Sequence, residues 1–124
     1  MRQWLVNPKI LCKNHLLGEH LENHMFCNGI NRKISLFGYL QNNLLEPSSL
    51  EKRHDELVKE MLRRGYNHKS PFKRCNTSHL GINLYHQIDK EASLKDLILR
   101  CKECRIRYIF LLVCNKLMIG GTQK

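Results

Sequence analysis

The strongest constraint on the fold is one amphipathic helical segment that begins at residues 48–49 and ends at residues 63–65. Ser48 and Ser49 are helix-capping residues, and Glu51 follows Ser48 by three positions, as in a capping box. Two arginines and a glycine at 63–65 form a typical helix end, with cations in the last turn and Gly just past it. The face to be buried carries Leu50, Leu57, Met61 and Leu62.

Two further helices are predicted on either side of this segment. A helical pattern runs from about His15 into the Phe26 region and ends near Asn28-Gly29, a C-cap pair. Another begins at Ser93 and runs to about Arg105 or beyond. Each of these helices needs a partner to cover its apolar face.

The rest of the chain carries no convincing pair of strands. Asn7-Pro8 opens a short turn of helix, and the polar residues 67–90 form a long surface connection. A chain of 124 residues is the size of one domain. The sequence therefore predicts an all-α fold, a single compact domain of three main helices with long loops.

The charge balance points to a polyanionic partner. The chain has 21 Lys and Arg against 11 Asp and Glu, a formal net charge of +10. Such a field raises the local concentration of phosphate groups, so nucleic acid is the expected partner. The alternative is a basic protein whose charge serves no such purpose.

No membrane or secretory segment is predicted. The first eight residues lack an apolar signal region, and the longest apolar run, residues 109–114, has six residues where a span needs about 20. The expected location is intracellular and soluble, in the cytoplasm, nucleoid or nucleus of a cell or of a virus-infected host. The cysteines are then expected to be reduced thiols: Cys12, Cys27, Cys75, Cys101, Cys104 and Cys114.

Titratable side chains cluster on the first long helix. His15, Glu19 and Glu22 share one face, and an acidic pair there is unusual in a basic protein. Its simplest interpretation is an ordinary solvated face. His20 and His24 lie on another face and could ligate a metal, but they lack a third ligand at a sensible spacing, so they are interpreted as interior or surface histidines.

The C-x-x-C motif of Cys101 and Cys104 stands alone in the sequence. Cys75 and His79 could supply two more ligands, but their spacing is poor for a zinc knuckle. Both thiols are therefore expected to pack at the end of the last helix, and no metal or organic cofactor is expected. A small zinc-binding interaction module stays open as an alternative.

Three stretches, taken together and in order, resemble the pyrimidine-dimer DNA glycosylase family, of the endonuclease V type known from T-even bacteriophages. Arg2, His15-Leu16, Glu19 and Glu22 fall on the arginine, His-Leu and acidic positions of the family without a gap. Residues 50–67 are similar to its L-x-x-R-x-x-E-L-x-x-E-x-L-[KR]-R-G-[FY]-N stretch, and residues 91–100 continue the likeness. The resemblance covers about residues 1–107, and residues 108–124 form a C-terminal tail of unknown role.

The resemblance implies a glycosylase that is also an abasic-site lyase on cyclobutane pyrimidine dimers. In that family the terminal α-amine forms a Schiff base with C1′ of the deoxyribose, and one glutamate, at the position of Glu22, completes the site. An α-amine titrates near about 7.7–8.0, so a useful fraction is unprotonated at neutral pH. Because the long side chain of Arg2 should block removal of the initiator methionine, Met1 itself is placed as the nucleophile.

The resemblance also implies the DNA contacts. Arg2 and His15 would position the sugar-phosphate, and Arg64 and Arg100 would make further contacts. The expected partner is double-stranded DNA that contains pyrimidine dimers or abasic sites, bound by a monomer. The alternative on the same scaffold is a basic nucleic-acid-binding protein without catalytic activity.

Overall fold

All regular secondary structure in residues 1–69 and 71–122, the part of the chain that the computed structural model describes, is helical. The α-helices are α1 (Lys13–Asn31), α2 (Phe37–Gln41), α3 (Leu50–Arg63), α4 (Lys90–Arg100) and α5 (Lys102–Thr122). Three short 3-10 helices join them, at Pro8–Ile10, Pro47–Ser49 and Gly81–Tyr85. The predicted all-α single domain is confirmed.

The central helix α3 begins and ends where the sequence predicts, but its start is not a capping box. Ser49 is the N-cap, and its hydroxyl donates to the carbonyl of Glu46 instead of accepting from the helix. The end is a left-handed cap, because Gly65 has φ +84° and the amide of Tyr66 donates to the carbonyl of Met61. A residue with a Cβ would be strained at position 65.

The third predicted helix is two helices with a break at Cys101. Asp89, not Ser93, caps α4, since its side chain accepts from the amide of Ala92 at 3.1 Å. Cys101 is extended (φ −119°, ψ 111°), which ends α4 and lets α5 pack against both α4 and the Pro8–Ile10 turn. The predicted continuous helix from Ser93 to about Arg105 is therefore wrong. Ser93 is buried instead, and its hydroxyl donates to the carbonyl of Trp4.

Two apolar clusters fill the interior, on either side of the contact between α1 and α3. The larger contains Trp4, Val6, Ile10, Leu11, Leu16, Leu57, Met61 and Leu97. The smaller contains Phe26, Ile30, Leu36, Leu45 and Leu50. The predicted boundary between residues 107 and 108 falls inside α5, and Tyr108 and Leu111 pack against the larger cluster.

Among the described residues, no helix has the length and apolar character that crossing a bilayer requires.

Candidate active site

The N-terminal segment, the first six residues, has no regular secondary structure, and Gln3, Trp4 and Val6 within it are buried. Gln3 is completely buried, and its amide donates to the carbonyl of Leu44 at 2.8 Å. Its side chain accepts from the amide of Glu46 at 2.6 Å and donates to the hydroxyl of Ser49 at 3.2 Å. An N-terminus usually frays unless it is tied down. Here three hydrogen bonds at residue 3 hold the two residues before it in place.

A cavity of about 650 Å³ opens at this N-terminal segment. Polar and charged side chains dominate its wall, which is supplied by the N-terminal segment, α1, the loop after α2, and α4. The lining residues are Met1, Arg2, Trp4, Asn14, His15, Gly18, Glu19, Glu22, Asn42, Leu44, Asp96 and Arg100. Five of the six predicted site residues lie here, and Arg64 is the one that does not.

Met1 and Glu22 both line this cavity. The amide of Arg2 donates to Oε2 of Glu22 at 3.2 Å. Since consecutive backbone nitrogens lie less than about 4 Å apart, the α-amine of Met1 is within about 7 Å of that carboxylate. The site thus holds an amine and a carboxylate at a distance that a single sugar can bridge.

Arg2 is tied into the wall of the cavity. Its guanidinium lies 3.8 Å from the centre of the Trp4 ring, pairs with Asp96 at 2.9 Å and donates to the hydroxyl of Ser93 at 2.8 Å. Burial lowers the pKa of Arg2 below its usual value, partly offset by Asp96. The arginine still carries its charge, so it presents a fixed cation to the cavity.

Arg100 is the exposed counterpart of Arg2. Its Nε lies 2.7 Å from the other oxygen of Asp96, and its side chain is 69% exposed. Asp96 therefore joins a buried cation to an exposed one at the edge of the cavity. Arg100 is free to exchange this contact for a phosphate.

The two glutamates on the same face of α1 have different surroundings. Glu19 is fully buried and accepts two bonds from the guanidinium of Arg53, at 2.6 and 2.9 Å. Arg53, 2% exposed, also donates to the carbonyl of Val6 at 2.7 Å, so this pair joins α1, α3 and the N-terminal segment. Glu22 is only half-buried, and its carboxylate faces the cavity.

Arg64 is directed away from the cavity. Its side chain is 9% exposed and binds Glu60 at 2.7 Å. It also donates to the carbonyl of Leu11 at 2.7 Å and to that of Pro8 at 3.2 Å. These contacts support the turn before α1 and favour a structural role over the predicted DNA contact.

His15 has neighbours that the sequence interpretation did not bring together. Its Nδ1 lies 3.1 Å from the sulfur of Cys12 and 3.5 Å from that of Cys104, and its ring packs edge-on against Trp4. Cys101 joins this group, while Cys75 packs against the smaller apolar cluster. The signal that was missed is the spacing: Cys12-x2-His15 repeats the spacing of Cys101-x2-Cys104.

Four histidines gather on another side of α1. His20 and His24 of α1 meet His54 of α3 and His68 of the following loop, with ring centres 4.9 to 5.2 Å apart in each measured pair. Burial, and then the neighbouring histidines, lower the pKa of His20 to about 4. The two histidines that lacked a third ligand in the sequence therefore have two more beside them.

The fold and the cavity together define a small, basic, all-helical protein whose site pairs an amine with a carboxylate. Residues 1–74 match the family model described as pyrimidine dimer DNA glycosylase. Because this match spans more than half of the chain, the protein belongs to the pyrimidine dimer DNA glycosylase family, which confirms the resemblance.

The family makes the protein a DNA-repair glycosylase whose substrate is DNA containing pyrimidine dimers. Met1, Arg2, His15 and Glu22 lie within the matched residues, and Arg100 lies beyond them. No curated protein and no solved structure matches the chain.

Proposed function

We propose that the protein removes pyrimidine dimers through a Schiff base between the α-amine of Met1 and C1′ of the deoxyribose, and then cleaves the strand as an abasic-site lyase. One observation carries this proposal: the buried Gln3 holds the N-terminal residues next to the carboxylate of Glu22, in a cavity that Arg2 and Arg100 also line.

The first step is attack by the unprotonated amine of Met1 on C1′. The N-glycosidic bond breaks, and the base leaves with the bonding electron pair. Positive charge develops on the sugar in this transition state, and the carboxylate of Glu22 is placed to stabilise it. An amine is needed because only an amine goes on to an iminium linked to C1′.

The second step opens the sugar ring. The nitrogen loses a proton, the C1′–O4′ bond breaks as O4′ takes up a proton, and the protonated Schiff base forms. Removal of a C2′ proton then expels the 3′ phosphate by β-elimination. Glu22 is the proposed proton acceptor, since its half-buried carboxylate lines the cavity and accepts from the amide of Arg2, the residue after Met1. Hydrolysis of the iminium returns the free amine, so neither a metal nor an organic cofactor takes part in the chemistry.

The charges around the cavity suit a DNA backbone. We propose Arg100 as a phosphate contact, because it is exposed and lies at the edge of the cavity. Arg2 would hold the sugar-phosphate against Trp4. His15 lines the same wall with Nδ1 turned to the thiols, so a contact with the sugar-phosphate would use Nε2.

The cavity has room for part of the substrate. Its volume of about 650 Å³ lies within the range of about 300–1,000 Å³ for sites that take up small molecules. A damaged, poorly stacked step makes extrusion of a nucleotide less costly. We propose that a monomer bends duplex DNA at the lesion and takes one extruded nucleotide into this cavity.

Trapping with borohydride on an abasic-site duplex tests the proposal. Borohydride reduces the iminium, so the chain with a free Met1 amine should become covalently linked to DNA. An uncleaved N-terminal tag should abolish the link, because it moves the free amine away from Glu22, whereas a C-terminal tag serves as the matched control. Trapping by the N-terminally tagged protein at the untagged rate would assign the nucleophile to a lysine. Dimer-specific binding without any trapping would favour the non-catalytic DNA-binding alternative.

A further inference from the structure

We propose that Cys12, His15, Cys101 and Cys104 form a structural zinc site. Each offers one ligand atom, and the four atoms all lie within 4.8 Å of one another. Cys12 and His15 come from the start of α1, and Cys101 and Cys104 from the junction of α4 and α5. The proposal does not depend on the glycosylase mechanism, and it runs against the expectation from sequence that no metal is held.

The distances fit a tetrahedral ion. With Zn–S of about 2.3 Å and Zn–N of about 2.0–2.1 Å, the tetrahedral edges are about 3.8 Å between sulfurs and about 3.5 Å between sulfur and nitrogen. The sulfurs of Cys12 and Cys101 are 3.9 Å apart, and Nδ1 of His15 is 3.5 Å from the sulfur of Cys104. Its 3.1 Å separation from the sulfur of Cys12 is within about half an ångström of the ideal edge.

The chemistry of the four groups supports zinc. Three thiols and one imidazole are a common ligand set of structural zinc sites, and both pairs have the two-residue spacing of a zinc knuckle. All three cysteines are free, not joined as disulfides. The amides of Cys12 and Cys104 donate to the sulfurs of Cys104 and Cys101, at 3.2 and 3.4 Å, which orients and stabilises thiolate ligands.

The site would explain the break between α4 and α5. The extended conformation of Cys101 lets both cysteines of the C-x-x-C motif face the start of α1. An ion there would clamp the last two helices to the helix that carries Glu22. It would also fix the ring of His15 in the cavity wall.

Metal content of the untagged full chain, produced in zinc-supplemented medium, tests this site. Cys101→Ser and Cys104→Ser should each hold one zinc equivalent less than the wild type. Cys75→Ser, a half-buried cysteine in the other apolar cluster, should retain the full amount and is the matched control. Unchanged zinc in both Cys101→Ser and Cys104→Ser would overturn the proposal.

Cobalt substitution of the wild-type protein gives an answer even where a variant fails to fold. Tetrahedral Co²⁺ bound by three thiolates should show strong sulfur-to-cobalt charge transfer together with visible d–d bands. A cobalt-loaded protein without thiolate charge transfer would refute the site.

A separate observation supports a second metal site. We infer that His20, His54 and His68 bind a transition-metal ion such as zinc through one ring nitrogen each, with His24 packed beside them. The Nε2 atoms of all four are buried and have no hydrogen-bond partner among the residues that the structure describes. His20, His54 and His68 can each direct one ring nitrogen to within 4.8 Å of the other two. Buried polar atoms are normally paired, so four unpaired imidazole nitrogens in one place are a set of ligands.

His54 has the second contact typical of a metal-binding histidine. Its Nδ1 donates to a carboxylate oxygen of Asp55 at 3.1 Å, which fixes the tautomer whose Nε2 carries the free electron pair. The ring is almost fully buried and stacks on Phe72. Imidazole donors suit zinc, copper, nickel and iron, and zinc content tests this site.

The two sites are separated by their variants. The wild type should bind two zinc equivalents, and His54→Gln or His68→Gln should bind one while keeping the cobalt–thiolate charge transfer of the cysteine site. His79→Gln, an exposed histidine outside the cluster, should bind two and is the control. Two zinc equivalents in His68→Gln, which changes only a loop residue, would exclude the histidine site. So would a single zinc equivalent in the wild type that is lost in Cys104→Ser.

Discussion

Glu19 and Glu22 lie one turn apart on the same face of α1, yet the same substitution at each should have opposite effects. Glu19→Gln should destabilise the protein with little effect on the chemistry of the folded fraction. Glu22→Gln should abolish glycosylase activity and leave stability nearly unchanged. The pair is matched in chemistry, volume and helix, so the comparison isolates the surroundings of each carboxylate.

The size of the first effect follows from burial. Glu19 is 0% exposed, and its partner Arg53 is 2% exposed, with two bonds of 2.6 and 2.9 Å between them. Removing one charge of such a pair leaves the other buried without compensation, which costs about 3–5 kcal/mol. A domain of this size has a total of about 5–15 kcal/mol, so Glu19→Gln should bring it close to unfolding.

Glu22→Gln should change the stability of the protein only slightly. Glu22 is half-buried, and its one hydrogen bond within the described residues comes from the amide of Arg2, which a glutamine oxygen also accepts. The expected change in the free energy of unfolding is within about 1 kcal/mol. The negative charge opposite Met1 is nevertheless lost.

Denaturant unfolding, and borohydride trapping on a dimer-containing duplex, where trapping needs the base to leave first, check the comparison on both variants. A double variant, Glu19→Gln with Arg53→Met, should recover part of the lost stability, because the uncompensated charge is then gone. Wild-type stability of Glu19→Gln together with full trapping by Glu22→Gln would refute the assignment of the two roles.

Three further results are expected. Arg64→Ala should lower the free energy of unfolding by about 2–3 kcal/mol, because charged hydrogen bonds to buried acceptors are lost. It should leave DNA affinity unchanged, and a uniform loss of affinity in a filter-binding assay would restore Arg64 as a DNA contact. Arg100→Ala should weaken binding to damaged and intact DNA alike. With five or six phosphate contacts the slope of log K against log salt is near −5, and the variant should reduce its magnitude by about one. A loss of affinity for dimer-containing DNA alone would place Arg100 at the lesion. Although burial favours its neutral form, hydrogen bonds from Arg63 and Arg64 lower the pKa of Glu60, so the stabilisation is present at neutral pH and is lost in acid, as the pH falls through this lowered pKa. Glu60→Gln should flatten the acid end of the stability profile, and an unchanged profile would exclude a contribution from the Glu60 ion pairs.

Local signals in the sequence were sufficient for most of the helices. The apolar stripe of α3 and the glycine at its end depend only on neighbours within a few residues. Leu50, Leu57 and Met61 are buried and Gly65 ends the helix, as predicted, but Leu62 is 57% exposed and does not belong to the buried face. The predicted surface connection between α3 and α4 carries one short 3-10 helix in its described part. The break at Cys101 was missed because neither Gly nor Pro marks it. The extended conformation there depends on contacts with Cys12, 89 residues away.

The candidate site divides in the same way. The resemblance pointed to Met1 and Glu22, and the structure brings both to one cavity; their catalytic roles stay predictions. The positive charge of Arg64 and Arg100 did not show which of them is a structural residue and which is available to DNA. That difference depends on burial and on internal partners, which exist only in the folded chain.

The sequence by itself determined the all-helical class, the basic charge and the family, because composition, helical periodicity and motif order follow from the residues along the chain and need no tertiary contacts. Only the tertiary structure decided which side chains share a site. Cys12 and His15 lie beside Cys101 and Cys104, and His20 of α1 lies beside His54 and His68. These residues are far apart in the sequence, so no local spacing predicts their proximity. The reason is physical: packing α1 against α3, and α5 back onto the start of the chain, buries apolar area, and that packing alone sets which distant polar groups are brought together.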